Sequence, residues 1–229
     1  MDRERERPLA VTTVAPHPEQ AQTNNSVMRS TEEPSFGSGV ASLKADLSAC
    51  PDGRSVSDGG TPIRVAGIVE QSIVDGPGLR LVVFTQGCPH GCPGCHSPQT
   101  HDFDGGTDMP VAQLLAILDK NPLLKGITFS GGEPLVRVCE LLPLAQGVRE
   151  RGKDIVCFTG FTFEELLEKM ADDQPLAELL GMIDLLVDGR YIQEQRDLTL
   201  PFRGSKNQRL LDLPASLAGG EAVMAIENE

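Results

Sequence analysis

Four short apolar runs, each followed at once by a turn of glycine and polar residues, constrain the fold of this chain more than any other feature. Segments with helical patterns separate the runs, so strands and helices alternate, which favours a parallel sheet with right-handed crossovers. Because turns at the C-terminal edge of a parallel sheet lie side by side, these four turns are expected to form one site. The runs fall within residues 79–85, 127–130, 155–159 and 185–187.

The repeated units are too few for a closed eight-stranded barrel. The predicted fold is therefore α/β, a partial (β/α) barrel with an open side that could admit a large substrate. A helix is predicted over residues 111–120, with Asp108 as its cap and Pro110 in its first position. A second is predicted over 135–151, where Pro143 should kink or break it.

The chain of 229 residues is 39% hydrophobic, which is enough for one core. Residues 1–61 are rich in Ser, Pro, Gly, Thr and charged residues without a sustained apolar period, so a disordered N-terminal extension is predicted there. Residues 62–217 should form the folded domain and residues 218–229 a flexible C-terminal tail. Cys50, inside the extension, is expected to have no role in the site.

Charge and hydropathy exclude two classes of partner. The net charge of −13 argues against nucleic acid, because proteins that bind nucleic acid generally present a basic patch. No apolar run approaches the roughly 18 residues that cross a bilayer, and the N-terminus lacks the apolar segment of a signal peptide. The chain is thus expected to be cytoplasmic, without a membrane partner.

Three cysteines at C-x3-C-x2-C spacing directly follow the first apolar run. Cys88, Cys92 and Cys95 are separated only by Pro, His and Gly, and such short turns can curl the backbone so that the sulfurs converge. Thiolates at this spacing select zinc or iron–sulfur. Three cysteines without a fourth at ligand spacing indicate a centre with an open coordination position.

Spacing alone leaves both metals open. A zinc-binding adaptor without catalysis would complete a Cys3His set with His90, His96 or His101. Cys139 and Cys157 have no partner at ligand spacing and are expected to be small buried apolar residues, which argues against a second cluster.

A Ser-Gly-Gly-Glu-Pro turn follows the second apolar run at residues 130–134. Gly131 and Gly132 lack a Cβ, so backbone groups there can approach a ligand closely and can take positive φ angles. Glu133 is either a solvated turn carboxylate or a contact to a ligand ammonium group.

Together, the cysteine spacing and this turn resemble the radical S-adenosylmethionine superfamily. The resemblance implies that Cys88, Cys92 and Cys95 hold one 4Fe-4S cluster, whose fourth iron is chelated by the amino and carboxylate groups of S-adenosylmethionine. One electron from the cluster would cleave the sulfonium and give a 5′-deoxyadenosyl radical that abstracts a hydrogen atom. The residues then expected to contact S-adenosylmethionine are Gly94, Cys95, His96, Gly131, Gly132 and Glu133.

Three further stretches, residues 74–80, 186–191 and 202–209, resemble the activating proteins of glycyl-radical enzymes. The resemblance covers residues 63–213 and is closest to the proteins that activate anaerobic ribonucleotide reductase. It implies an oxidoreductase that generates a glycyl radical on that large partner enzyme, with an electron from a reductant such as flavodoxin or ferredoxin.

A small-molecule radical enzyme resembling 7-carboxy-7-deazaguanine synthase is the alternative, because it shares the first two motifs. The stretch 202–209 favours the activating proteins. No physical account of Arg203, Asn207 or Arg209 within that stretch follows from the sequence.

Overall fold

The computed structural model of the protein describes residues 62–225, so the predicted N-terminal extension, with Cys50, and residues 226–229 lie outside the described residues. The described strands are β1 (Ile63–Ser72), β2 (Arg80–Thr85), β3 (Thr107–Met109), β4 (Gly126–Gly131), β5 (Asp154–Phe158), β6 (Leu185–Asp188) and β7 (Arg209–Asp212). The described helices are α1 (Val111–Lys120), α2 (Val138–Glu150), α3 (Phe163–Met170), α4 (Gln174–Leu180) and α5 (Leu213–Gly219). None of these helices combines the length and apolar character that crossing a membrane requires.

The strands form one open sheet in the order β3-β1-β2-β4-β5-β6-β7. Its four central strands, β2, β4, β5 and β6, are parallel. The outer strands β1 and β7 run antiparallel to their central neighbours, and β3 pairs with β1. The α/β prediction is confirmed, and the sheet stays open because its two edges, β3 and β7, do not pair with each other.

The two faces of the sheet are covered unequally. Side chains alternate along a strand, so Ile155 and Cys157 of β5 join the large core that α1 to α5 complete. Val156 lies on the opposite face, in a small apolar cluster with few partners, among them Phe158 and Phe202. The helices therefore shield one face, while the other carries a much thinner apolar layer among the described residues.

The start of α1 differs from the prediction. Pro110 is the N-cap of the helix, without a side-chain cap hydrogen bond, and Val111 is its first residue. Asp108 is not the cap, because it belongs to β3, where it lies opposite Arg64 and forms an ion pair with it at 2.9 Å. The cross-strand pair thus determines the position of Asp108.

Helix α2 runs through Pro143 without a break and begins at Val138, after a separate turn of 3₁₀ helix at Pro134–Val136. The predicted break is wrong. Proline removes one intrahelical hydrogen bond, but Leu142 and Leu144 on either side are buried in the main core and hold the helix in place.

The C-terminal part of the described chain returns to the sheet. Helix α5 begins directly after β7, with Asp212 as its cap accepting from Ala215 N. The backbone then pairs with β7, since Asp212 N donates to Val223 O and Ala225 N to Leu210 O, both at 2.9 Å. The predicted domain boundary at residue 217 therefore falls inside α5.

Candidate metal and cofactor site

The cysteine loop joins β2 to β3 and begins at the C-terminal end of a central parallel strand. Two backbone hydrogen bonds fix its base: Gly87 N donates to Thr100 O at 2.8 Å, and Cys88 N donates to His101 O at 3.1 Å. Both acceptors lie at the end of a short 3₁₀ helix, Pro98–Thr100. The segment that carries the cysteines is thus a closed loop with a firmly held base.

Cys88, Cys92 and Cys95 are free and half-buried on this loop. Burial raises the pKa of the Cys88 thiol, whereas binding to a metal deprotonates a thiol outright. Within residues 62–225, no three His, Cys, Asp or Glu side chains stand close enough together to hold a metal ion. The thiol set fits an iron–sulfur cluster by its chemistry, but the sulfurs would have to close in when the cluster binds.

The turn after β4 lies directly against the base of this loop. Glu133 N donates to Gly87 O at 2.8 Å. A Cβ on Gly132 would lie 2.3 Å from that same oxygen, and a Cβ on Gly131, whose φ is +100°, would lie 2.6 Å from the Cα of Phe84. These glycines therefore allow backbone to meet backbone. The close approach seen here is to the protein's own backbone, and the predicted approach to a ligand stays a prediction.

Glu133 is fully buried, so the interpretation as a solvated turn carboxylate is wrong. One carboxylate oxygen accepts from Leu135 N at 3.1 Å and from Thr159 Oγ1 at 2.8 Å. The other accepts from Gly160 N at 2.8 Å and lies 2.7 Å from His90 Nε2. With four donors in place, a contact between Glu133 and a cofactor stays a prediction that would require one donor to leave.

The far side of the cysteine loop contacts the segment that follows β6. The Tyr191 ring lies 5.0 Å from the ring of His96. A Cβ on Gly94 would lie 2.0 Å from Gln193 Oε1, and one on Gly204 would lie 3.2 Å from the Tyr191 ring. Gly94 and His96, both predicted cofactor contacts, thus adjoin residues that follow β6.

The stretch 202–209 folds onto the turn after β6. Gln208 Nε2 donates to Gly189 O at 3.1 Å, and Asn207 Nδ2 donates to Arg190 O at 2.7 Å. Arg203 is half-buried, which lowers its pKa, and Nη1 donates to Gln208 O at 3.4 Å. Two of the three stretches behind the family resemblance therefore hold each other at the C-terminal edge of the sheet.

Arg209 joins three elements at this edge. Its guanidinium donates to the buried Asp188 at the end of β6, at 3.0 Å from Nε, and to the exposed Glu164 of α3, at 2.8 Å from Nη2. Asp188 also accepts from Phe163 N, the first residue of α3. The Arg209 hydrogen bonds hold the pKa of Glu164 down to about 2, which indicates a strong structural ion pair.

A cavity of about 440 Å³ opens beside these residues, at the ends of β5 and β6. It is lined by Gly160, Asp188, Asn207 and Arg209, among others, and its size is within the range of small-molecule sites. Asn207 Oδ1 is buried without a hydrogen-bond partner among the described residues, so a free acceptor lies next to this cavity.

The stretch 74–80 lies at the N-terminal end of β2, on the side of the sheet opposite the cysteine loop. Arg80 is fully buried there: Nε donates to Thr128 Oγ1 at 2.8 Å, Nη2 donates to Ile127 O at 2.7 Å, and Nη2 lies 2.6 Å from Asp154 Oδ1. A buried cation with this many partners is a structural feature. This stretch contributes to the family resemblance, but its role is to stabilise the fold, and it lies away from the cysteine loop.

The two other described cysteines lie away from the site. Cys157 is buried in β5, and burial raises the pKa of its thiol well above its ordinary value, which confirms the prediction of a small core residue. Cys139 is half-buried, so the same prediction is wrong for it.

The sequence placed Thr159 at the predicted edge and Tyr191 in the stretch 186–191 without giving either a role of its own; it did not indicate Gln193, and it considered His90 only as a zinc ligand. His90 carries a local signal, since it lies between the first two cysteines. Thr159 ends a predicted strand at the predicted edge of the sheet, which was a weaker signal. Tyr191 and Gln193 contact the loop from a distant part of the chain, and no spacing rule indicates these contacts.

Three free cysteines lie on a loop at the C-terminal edge of an open α/β sheet, and the family described as a 4Fe-4S single cluster domain matches residues 74–211, which places the chain in an iron–sulfur class of protein. Relatives named anaerobic ribonucleoside-triphosphate reductase-activating protein are 38% identical over 144 residues in Haemophilus influenzae and 36% identical over 144 residues in Escherichia coli K12. Each alignment covers 59% of this chain, with 89% of the first relative and 90% of the second. The chain belongs to this family of reductase-activating proteins, which confirms the predicted family.

A similarity to one solved structure is much weaker. The crystal structure of QueE from Escherichia coli is 21% identical, with a TM-score of 0.33, over 44% of this chain and 53% of that chain. At this level the likeness does not bear on function.

Proposed function

We propose that this protein is a radical S-adenosylmethionine activating enzyme. It would cleave S-adenosylmethionine reductively at a 4Fe-4S cluster and generate a glycyl radical on a partner enzyme, anaerobic ribonucleoside-triphosphate reductase. The observation that carries the proposal is the loop with Cys88, Cys92 and Cys95, held against the Gly131–Gly132 turn in a chain of the reductase-activating family.

The three thiolates would hold three irons of the cluster, and the fourth iron would take S-adenosylmethionine. When bound, the cluster would supply the one electron needed to cleave S-adenosylmethionine into methionine and a carbon radical, and that radical would take a hydrogen atom from a glycine of the partner. A reductant such as flavodoxin or ferredoxin would replace that electron. The protein would supply orientation and exclude water.

The residues around the loop would fix where this chemistry takes place. Hydrogen transfer requires the reacting atoms to approach within about 3–3.5 Å, so the cysteine loop must be held firmly against its surroundings. Its base is fixed by Gly87 and Cys88, and its sides contact the turns after β4 and β6. Gly94, His96, Gly131 and Gly132 lie at these contacts and, with Cys95 and Glu133, are the proposed S-adenosylmethionine neighbours.

The test combines anaerobically reconstituted protein, S-adenosylmethionine, a one-electron reductant and purified reductase labelled with glycine deuterated at Cα. We expect an electron paramagnetic resonance signal on the reductase that lacks the α-hydrogen splitting, and deuterium in 5′-deoxyadenosine. The reconstituted protein should carry about four irons per chain.

Two results would contradict the proposal. Stoichiometric zinc without iron or sulfide after reconstitution would favour the zinc-binding adaptor. A cluster that forms but yields no protein radical, together with turnover of a small heterocycle, would favour an enzyme resembling 7-carboxy-7-deazaguanine synthase.

A further inference from the structure

A buried contact ties the cysteine loop to the turn after β4. His90 Nε2 lies 2.7 Å from the Glu133 carboxylate, and the two side chains are 5% and 0% exposed. The residues are 43 positions apart in the chain. Breaking a buried hydrogen bond of this kind costs stability, because solvent cannot replace the lost partner.

Three donors outside the cysteine loop hold the Glu133 carboxylate in place. Leu135 N and Thr159 Oγ1 donate to one carboxylate oxygen. Gly160 N donates to the other oxygen, which His90 also contacts. These donors come from β4's own turn and from the end of β5, two parts of the rigid sheet edge. The carboxylate is therefore a fixed point against which the loop can be located.

His90 is held just as specifically. Its ring meets the edge of Phe161 at a centroid distance of 4.7 Å and an angle of 74°. A Cβ on Gly160 would lie 2.4 Å from His90 Cδ2, so only glycine at position 160 leaves room for the ring. The imidazole therefore enters a space formed by the turn after β5.

We infer that His90 and Glu133 are positioning residues that set the place of the cysteine loop relative to the Gly131–Gly132 turn. His90 is two residues from both Cys88 and Cys92, so a shift of its ring moves two thiols at once. The inference rests on the proposed function, because the loop and the turn would hold the two partners that have to meet. A misplacement of about 1 Å is enough to weaken such a site severely.

The decisive comparison is His90→Leu with His90→Gln. Leucine removes the donor, whereas a glutamine amide can reach the place of Nε2 and donate to Glu133. We expect His90→Leu to change the electron paramagnetic resonance spectrum of the reduced cluster and to bind S-adenosylmethionine about tenfold more weakly. His90→Gln should stay within about twofold of wild type. Binding is measured from the spectral change on titration with S-adenosylmethionine, and iron per chain is determined in parallel.

Gly160→Ala is the second variant, because it displaces the His90 ring while leaving both positioning residues in the chain. It should reproduce the His90→Leu spectrum even if the leucine variant fails to fold. Arg149→Leu is the matched control: it breaks a half-buried ion pair with Asp184, 2.8 Å long, before the start of β6 at the opposite edge. We expect it to lower the thermal midpoint without changing the cluster spectrum.

Failures of the two proposals are distinguishable. Wild-type protein that takes up no iron and sulfide overturns both. Wild-type protein with a cluster, together with His90→Leu and Gly160→Ala variants whose spectra and affinities match it, overturns only the positioning role. A glutamine variant as weak as the leucine variant also overturns it, because the hydrogen bond would then not be the property that matters.

Discussion

At the scale of single residues, exposure separates the three loop cysteines from Cys157. The loop thiols are half-buried and free, so iron can reach them, whereas Cys157 is enclosed in the core. We expect Cys88→Ala, Cys92→Ala or Cys95→Ala to abolish cluster assembly, with iron per chain as the measurement. Cys157→Ala should keep its iron and lower the free energy of unfolding by about 1 kcal/mol. Iron retained in full by any of the three loop variants would contradict the assignment.

Gly132 is required by a backbone contact, which predicts a large effect from a single methyl group. A Cβ there would lie 2.3 Å from Gly87 O, a backbone atom that cannot rotate away. We expect Gly132→Ala to lower the free energy of unfolding by about 1–3 kcal/mol, measured by urea denaturation of the apo-protein. Gly219→Ala in α5 is the control, since a Cβ there would meet only Glu221 Cγ at 3.8 Å. Equal stability of the two variants would contradict the role of the close approach.

The residue scale also shows what the sequence could and could not predict. The cysteine spacing and the Gly-Gly pair are local patterns, and they identified the loop and the turn. The state of Glu133 was not predictable, because its donors include Thr159 and His90. Those residues come from two other loops, and their convergence depends on the register of the whole sheet.

At the scale of elements, the pair of Arg209 with Glu164 predicts a pH dependence of stability. Glu164 has a pKa of about 2 in the folded protein against an ordinary 4.5. A lowered carboxylate pKa contributes stability that is present above the ordinary value and is lost as the pH falls through the folded value. Stability should therefore decrease between pH 4.5 and about 2.

Glu164→Gln should remove this component of the acid sensitivity. Because the Glu164 side chain is 60% exposed, solvent screening limits the effect to about 1 kcal/mol or less. The measurement is urea denaturation of both proteins across that pH range, with Glu168→Gln, an exposed glutamate on the same helix, as control. If wild type and Glu164→Gln lose stability in parallel, the ion pair does not contribute as described.

Arg80 predicts a stability effect that is separate from the site. Arg80→Met leaves Thr128 and Asp154 without their buried cation, so we expect the free energy of unfolding to fall by about 3 kcal/mol. Cluster content should be unchanged in the folded fraction, because Arg80 lies at the opposite edge of the sheet. Arg151→Met, which removes an exposed pair with Asp119, should change stability little. Loss of iron from folded Arg80→Met would show that the two edges are coupled.

Elements with a strong local pattern were predictable, and those without one were not. The four parallel strands lie where apolar runs predict them. Strands β3 and β7 were missed because neither shows an apolar run: two of the three residues of β3 are polar, and β7 has a charged residue at each end. Asp108 was assigned to a cap because its partner, Arg64, is far away in the chain.

At the scale of the whole molecule, the N-terminal extension remains a prediction from composition. A segment this poor in apolar residues cannot offset the entropy of ordering it. We therefore expect a chain lacking residues 2–58 to fold and to cleave S-adenosylmethionine like the full chain, measured as 5′-deoxyadenosine formed per cluster. An insoluble or inactive truncated chain would mean that the extension packs on the domain or completes the site.

The parallel order of the central strands also has a consequence for how the protein is made. The site draws on loops after β2, β4, β5 and β6, and Arg209 of β7 clamps the last of these. A nascent chain that has emerged only as far as β4 already exposes the thiols but lacks Thr159, Tyr191 and the clamp. Under the proposed function, iron and sulfide delivery would have to wait until β7 has been synthesised, since earlier the thiols lie unprotected on an unfinished sheet.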